Sequence, residues 1–338
     1  MRTARIVEAG AAYYHIMSRV VDRRMVFDDG EKERFRKTLR AVAEFAGVRI
    51  LTWICMSNHW HVLMYLPERE EVGDAELVRR LSFLYDKTVV ENVESQLATL
   101  RAGGHHEAAE SRKREFTYRM YNLGEFVKTL KQRISFSYNR RHQRKGTLWE
   151  ERYKSILVEG TPGTLTRMAA YIDLNAVRAG IVKDPRDYRF SGYGEAMGGS
   201  KLAREGLMGV VKEGDMASDW ASASARYRQL LYVSGEVQGG RENGQPVKKG
   251  FSAAAVDAVI EKKGKLPLNE ILRSRIRYFT DGAIIGSRVF VEDAFGRHRA
   301  HFSSKRETGA KPMRGGEFGD MCTARQLRVN LYGSPAPA

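Results

Sequence analysis

The hydrophobic pattern of the first 66 residues predicts the element order β-α-β-β. Residues 11–20 are rich in aromatic and branched side chains, which favours a strand. Apolar side chains then recur at helical spacing before Gly47, which is suited to end a helix. They are Phe35, Leu39, Val42 and Phe45. Two apolar strands follow, at 48–56 and 59–66, and the two residues between them indicate a tight hairpin.

The pattern from residue 68 to residue 180 predicts three further elements after an insertion. Residues 68–122 carry helical spacing and polar runs, so we interpret them as a helical insertion over the sheet. A helix over 124–141, a strand over 155–158 and a helix from Thr161-Pro162 to Gly180 complete the series. The order β-α-β-β-α-β-α predicts an α+β fold: a ferredoxin-like antiparallel sheet with helices on one face, plus one added helix.

The remainder of the chain predicts a different organisation. Residues 198–250 are Gly-rich and weakly patterned, with one helix near Trp220–Tyr232, and favour a connector. We expect a basic unit over 251–320 and a tail over 321–338, in a mainly helical C-terminal region. Residues 1–197 then form the principal domain.

Charge is the first indication of function. The 338 residues include 57 Lys and Arg against 41 Asp and Glu, a net charge of +16. Such an excess attracts a polyanion, and release of its counterions favours nucleic-acid binding, although a basic protein can simply be soluble. Residues 1–8 lack the apolar core of a signal peptide, and no apolar run reaches membrane-spanning length. With two cysteines as well, we expect a cytoplasmic, nucleoid-associated protein without a membrane partner.

The strand at 59–66 carries the first chemical feature. Side chains alternate across a strand, so His59 and His61 share one face, while Trp60, Val62 and Met64 form an apolar surface on the other. Two imidazoles on one rigid face suit a divalent cation. The alternative is a pair of structural histidines on a half-buried strand.

The helix ending at Gly180 carries the second feature. Tyr171 and Asn175 are four residues apart and therefore lie on one helix face. An amide oxygen can bind a metal, and a phenol oxygen can act as a nucleophile when a cation stabilises the developing charge. The alternative is an ordinary core tyrosine with a polar neighbour.

Between these features lies a basic segment, 124–154, with interleaved aromatic residues. Proteins commonly bind single-stranded nucleic acid with positive side chains that contact the phosphates and aromatic rings that stack on the bases. The alternative is a solvated helix face with core aromatics. The residues that we expect to bind DNA are Lys128, Lys131, Arg133, Arg140, Arg141, Arg144, Arg152 and Lys154.

Taken together, these segments resemble the REP-associated branch of the IS200-like single-tyrosine HUH transposases. The matching segments are 14–19, 56–63, 146–155 and 171–180, in the family's order, and the resemblance covers about residues 11–197. Two departures are Ser57 and Ala176, where the family commonly has proline, and neither removes a reacting group. The insertion at 68–122 is a larger departure from the family's pattern, and we expect it to affect the geometry with which the DNA strand is bound.

The resemblance implies roles for four side chains. His59, His61 and Asn175 correspond to the ligands of Mg²⁺ or Mn²⁺, and Tyr171 corresponds to the nucleophile. The implied activity is cleavage and strand transfer of single-stranded DNA bearing hairpins or repeats, through a 5′-phosphotyrosine intermediate. The resemblance also allows a homodimer. Three alternatives stay open: a domesticated repeat-nicking endonuclease, a rolling-circle initiator or relaxase, and a non-catalytic DNA-binding regulator.

The segment 280–291 suggests a separate function for the C-terminal region. Its pattern is consistent with two short helices joined by a Gly-containing turn, and basic residues follow it. A helix-turn-helix-like DNA reader is one interpretation, and a small structural domain covering the sheet is the other. On either interpretation we expect residues 251–338 to tune DNA recognition without contributing to the chemistry.

Overall fold

The strands and helices are described from a computed structural model, for residues 2–3, 5–211, 219–232, 277–314 and 318–330. The strands are β1 (Arg2–Thr3), β2 (Ala12–Arg19), β3 (Arg49–Cys55), β4 (His59–Leu66), β5 (Lys154–Val158), β6 (Gly282–Gly286), β7 (Lys311–Pro312), β8 (Cys322–Arg325) and β9 (Val329–Asn330). The helices are α1 (Asp29–Ala46), α2 (Asp74–Leu81), α3 (Lys87–Ala102), α4 (His106–Thr117), α5 (Leu123–Arg141), α6 (Pro162–Asp173), α7 (Asn175–Arg178), α8 (Gly192–Met197), α9 (Lys201–Val211), α10 (Trp220–Tyr232), α11 (Tyr278–Asp281) and α12 (Arg288–Arg297). None of these helices is long and apolar enough to cross a membrane.

A seven-stranded sheet organises the described residues, in the order β3-β4-β2-β5-β6-β8-β7. All its neighbouring pairs are antiparallel except β5 and β6, which run parallel. Along the chain, β2, α1, β3, β4, α5 and β5 follow one another in the predicted ferredoxin-like order. The predicted α+β fold with a mostly antiparallel sheet is therefore confirmed.

One face of the sheet forms an apolar core with α1 and α5. Trp60 is fully buried, and its ring lies 5.6 Å from that of Phe35 on α1 and 6.4 Å from that of Trp149, centroid to centroid. Val62 and Met64 are also fully buried. The alternation predicted for β4 is thus realised, because its apolar side chains face these helices.

Helices also cover the opposite face, so the expectation of helices on one face was incomplete. There α6, α8 and α9 pack against β3, and α10 packs against α6 and α9. Gly206 on α9 lies so close to β3 that an added Cβ would stand 2.5 Å from the carbonyl oxygen of Ile50. The helix at Trp220–Tyr232 is as predicted. The prediction of a connector, made from the glycines of 198–250, was wrong for the described part of that segment. There Gly206 allows α9 to pack closely against β3.

The predicted helical insertion is present as α2, α3 and α4. It packs beside α1, where the Tyr121 amide donates to the Ala46 carbonyl at 2.8 Å and the Arg119 guanidinium lies 4.6 Å from the Phe45 ring centre. Arg133 of α5 donates to the carbonyl of Leu84 at 2.7 Å. These contacts join the insertion to both helices of the first layer.

The C-terminal region contributes strands to the same sheet. Gly282–Gly286 is a strand that pairs with β5, so the helix-turn-helix interpretation of 280–291 was wrong. Arg297 pairs with Glu8 at 2.9 Å, and Arg306 donates to the carbonyl of Gly309 at 2.6 Å, so these cations support local structure. Residues 251–276 and 331–338 of the predicted unit and tail lie outside the described residues.

A buried carboxyl group ties the second helical layer to the sheet. Asp173 is fully buried at the end of α6 and accepts hydrogen bonds from Thr52 of β3 at 2.9 Å and from the Tyr227 hydroxyl of α10. The Tyr193 amide of α8 also donates to it. Burial raises the pKa of Asp173 to about 7, and these hydrogen bonds oppose part of that rise.

Asp173 makes the free energy of unfolding depend on pH. Its pKa rises from 3.8 to about 7 on folding, so between these values the folded chain holds a proton that the unfolded chain has lost. The contribution of Asp173 to stability is therefore lost as pH rises between these values, with a slope of about 1.4 kcal/mol per pH unit for one proton. We expect Asp173→Asn to remove this dependence when urea unfolding is compared at pH 5 to 8. Parallel pH profiles for the two proteins would contradict this assignment.

Candidate functional site

A cavity of about 400 Å³ opens on the α6 side of β4. It brings together the four side chains that the sequence singled out, from two distant parts of the chain: His59, His61, Tyr171 and Asn175. Two of them lie on β4 and two lie at the end of α6 and the start of α7. The antiparallel sheet and the packing of α6 over it create this cavity.

Both histidines of β4 have their δ nitrogens engaged. His59 Nδ1 lies 2.7 Å from the side-chain oxygen of Asn58, and His61 Nδ1 lies 2.9 Å from Nε2 of His15 on β2. The two β4 rings are 5.3 Å apart and perpendicular. Partners of this kind fix the orientation of an imidazole that uses its other nitrogen for a ligand.

The buried histidines are neutral. Burial lowers the pKa of His15 to about 3, with a hydrogen-bonding interaction of the ring with the backbone of Phe279 opposing the change. Burial likewise holds the pKa of His61 well below its usual value, and the neighbouring positive groups lower it further. Neutral imidazole is the form that coordinates a metal, so this environment suits a ligand.

Tyr171 lies in the wall of the cavity with 3% of its surface exposed. Its ring is perpendicular to that of His61 at 6.3 Å and packs against Phe279 of α11 at 5.0 Å. The Arg178 guanidinium stands 4.2 Å above the same ring and also donates to the Tyr171 carbonyl. Burial lowers the pKa of Arg178 to about 10, which leaves it protonated at neutral pH. The phenol is thus held beside a histidine and a half-buried cation.

Asn175 stands at a helix break rather than within a continuous helix. Helix α6 ends at Asp173, and a new turn begins at Asn175, so the predicted single helix to Gly180 is divided at Leu174. The Asn175 side-chain nitrogen is buried and has no hydrogen-bond partner among the described residues. The two ends of an amide can exchange by rotation, so this buried group can offer its oxygen to the cavity.

These residues fit a hard divalent cation that is bound through nitrogen and amide oxygen. The described part of the chain contains no cluster of three or more His, Cys, Asp or Glu arranged to hold a metal. The Asn175 amide lies in the same cavity as His59 and His61 and could serve as a third protein ligand. The observation that favours this set is the buried Asn175 side-chain nitrogen, which has no partner among the described residues.

The predicted DNA-binding residues are divided between two surfaces. Arg152 and Lys154 line the cavity that holds the β4 histidines and Tyr171. Lys128, Lys131, Arg133 and again Arg152 line a larger groove beside α5. Arg140, Arg141 and Arg144 are outside the linings of both, and Arg141 pairs with the buried Glu31.

Sequence analysis missed several residues of the cavity. His15 joins His61 only through the register of β2 and β4, which a single strand cannot reveal. Arg178 follows Tyr171 by seven residues, a helical spacing that could have indicated their contact. Thr280 and Asp281 of α11 also line the cavity. Part of the C-terminal region therefore borders the cavity, and the expectation that residues 251–338 do not contribute to the chemistry stays a prediction.

Comparison with known proteins supports the family resemblance over the first part of the chain. Residues 9–103 match the family model described as Transposase IS200 like. The predicted resemblance to IS200-like transposases is confirmed for that segment, which contains His15, His59 and His61 and ends before Tyr171. No curated protein sequence matches the chain.

One similar solved structure is that of a REP-associated tyrosine transposase bound to a REP hairpin. It shares 15% identity, covers 66% of this chain and 96% of that chain, and has a TM-score of 0.38. At this TM-score the likeness supports no inference about function.

The contact between Tyr171 and α11 predicts a large effect of one substitution on stability. Phe279 is fully buried against Tyr171, so we expect Phe279→Ala to leave a cavity and cost roughly 3–5 kcal/mol. Phe279→Leu is the control that keeps most of the apolar volume. Urea unfolding of both variants measures the difference. Equal midpoints for Phe279→Ala and the unsubstituted chain would show that α11 does not pack on the site in solution.

Proposed function

We propose that this protein is a DNA transposase that cleaves and rejoins single-stranded DNA through a covalent bond to Tyr171. The observation that carries the proposal is the shared cavity of Tyr171, Asn175 and the two β4 histidines. The IS200-like match of residues 9–103 supports a transposase role, and the net charge of +16 supports DNA as the partner. Hairpins or repeats at the element ends are the substrate class that the family resemblance implies.

In the proposed reaction the Tyr171 oxygen attacks the scissile phosphorus. The phenol loses its proton as an oxygen–phosphorus bond forms to Tyr171. The bond from phosphorus to the 3′ oxygen breaks, and the departing 3′ oxygen takes up a proton and ends as a hydroxyl, so the step has no net gain or loss of protons. The product is a 5′-phosphotyrosine with a free 3′ end. Attack by another 3′-hydroxyl on the same phosphorus reverses the step and transfers the strand without external energy.

The residues around Tyr171 support this role. Arg178 is a half-buried cation above the phenol ring, and it can stabilise negative charge on the attacking oxygen and the phosphate. His59, His61 and Asn175 would hold Mg²⁺ or Mn²⁺, which polarises the scissile phosphate when bound. His15 would keep the His61 ring in orientation through their hydrogen bond.

The alternatives differ in how the same cavity is used. A domesticated endonuclease that nicks chromosomal repeats needs the same four residues, and so does a rolling-circle initiator or relaxase; the IS200-like match favours a transposase. A non-catalytic regulator needs none of them. All four line one cavity, which favours catalysis.

The nucleophile assignment predicts a clean separation between binding and cleavage. With Mn²⁺ and a labelled hairpin that has a single-stranded tail, we expect an adduct that survives SDS. Tyr171→Phe removes only the attacking oxygen, so the variant should bind DNA with unchanged affinity and form no adduct. Tyr153→Phe is the matched control and should form the adduct. Undiminished adduct in Tyr171→Phe would move the nucleophile to another residue.

The metal assignment predicts a loss of both ion binding and cleavage. We expect His59→Ala and His61→Ala each to weaken Mn²⁺ binding, measured by calorimetry, and to reduce cleavage by several orders of magnitude. His59 is partly exposed at the start of β4, so its variant should keep the thermal stability of the metal-free protein. If His59→Ala bound Mn²⁺ and cleaved DNA normally, His59 would not be a metal ligand and its role would be structural.

A further inference from the structure

A large groove lies between the helical insertion, α1 and α5. Its volume is about 1490 Å³, and its walls hold seven Lys or Arg residues and a single acidic residue, Glu125. The insertion contributes one wall through Phe83, Leu84, Tyr118 and Arg119. The groove therefore exists only because the insertion stands beside α5.

Solvent-exposed aromatic side chains are concentrated in this groove. Among the described residues, the large aromatic side chains that are exposed to solvent are Phe83 at 40%, Tyr118 at 49% and Phe136 at 74%. All three line the groove. Exposed aromatic rings cost free energy in water, so their collection in one basic groove indicates a surface that meets a partner. Bases stack on such rings irrespective of their identity.

Three cations converge at one end of the groove. Lys131 has its amino group 5.2 Å from the Trp149 ring centre and donates to the Glu151 carbonyl, while Arg5 and Arg152 also line this end. Burial lowers the pKa of Lys131 to about 8, and the charges of Arg5 and Arg152 lower it further, against the opposing effect of Glu151. A phosphate among these cations would relieve their mutual repulsion.

The same end of the groove adjoins the catalytic cavity. Arg152 lines both spaces, so a strand that leaves the cavity meets the groove at Arg152. A duplex cannot stack its paired bases on side chains, whereas a single strand can. Charge and aromatic rings together thus favour single-stranded DNA over a hairpin stem or a protein partner.

We propose that this groove, walled by the insertion, binds single-stranded DNA that extends from the strand in the catalytic cavity. The proposal rests on the proposed function, since it extends the path of the same substrate. Arg5, Lys131 and Arg152 hold the first phosphates beyond the cavity, and Phe83, Tyr118 and Phe136 stack on bases farther along. The insertion thereby lengthens the strand that the protein recognises.

The experiment measures how much affinity a longer tail adds. The full-length Tyr171→Phe protein is titrated in EDTA with a labelled hairpin that has a single-stranded tail of about 4 or about 20 nucleotides, and fluorescence anisotropy gives both dissociation constants. We expect the longer tail to bind more tightly. Replacing Phe83, Tyr118 and Phe136 with serine should remove most of this gain, at roughly fivefold or more per ring. All three rings are exposed, so the variant should fold, and circular dichroism checks this.

The cations are tested separately through salt dependence. Lys37 of α1 also lines the groove. Lys37→Gln with Lys131→Gln should lower the slope of log affinity against log salt by about 1.4 for the long tail. Lys87→Gln with Lys201→Gln is the matched control, because these side chains are 87% and 90% exposed and lie outside the groove lining. The control pair should keep the slope of the parent protein.

Three results would overturn the proposal. The first is that the serine variant keeps the full gain in affinity from the longer tail. The second is that a fully duplex tail gives the same gain in affinity as the single-stranded tail. The third is that the control pair changes the salt slope as much as Lys37→Gln with Lys131→Gln does. Failure of the proposed function is distinguished by a different assay. In that case the unsubstituted chain forms no adduct on the short-tailed hairpin with Mn²⁺, whatever the groove variants do.

Discussion

The alternation of side chains along β4 is the constraint on which the rest of the structure depends. Antiparallel pairing with β2 on one side and β3 on the other fixes the register of β4, so its odd-numbered residues face α6 and its even-numbered residues face α1. Trp60 anchors the core on the second face. A slip of one residue would turn both histidines toward α1 and the apolar core and turn Trp60 toward the α6 cavity, so the core that stabilises the sheet also presents the histidines.

The two faces of the sheet serve different parts of the proposed activity. On the α6 face, the cavity is lined by the β4 imidazoles, the Asn175 side chain and Arg178, which lies over the Tyr171 ring. On the α1 face, the insertion and α5 form a groove whose cations and aromatic rings remain accessible. Arg152 lies where the two spaces adjoin. The proposed chemistry thus has a partly enclosed cavity, and the proposed strand recognition has an open surface.

Sequence patterns predicted the local features of this fold and could not predict the long-range ones. The helix with Phe35 and Leu39 and the hairpin before His59 were correct because hydrophobic spacing and turn length determine them locally. Strand β6 was mistaken for part of a helix-turn-helix, because its five residues are too few to show a period and its partner β5 lies more than a hundred residues earlier. His15 was not recognised as a partner of His61, since only the β2–β4 register brings them together.

The central claim is that the Tyr171 oxygen becomes bonded to the 5′ phosphate of the cleaved strand. Mass spectrometry of the SDS-resistant adduct, after digestion with nuclease and trypsin, tests it most directly. Trypsin cuts after Arg167 and Arg178, so Tyr171 lies in a peptide that contains no other tyrosine. The account predicts a nucleotide 5′-phosphate on that peptide at Tyr171. The same mass increase on a peptide containing Tyr138 or Tyr153, with the 168–178 peptide unmodified, would contradict it.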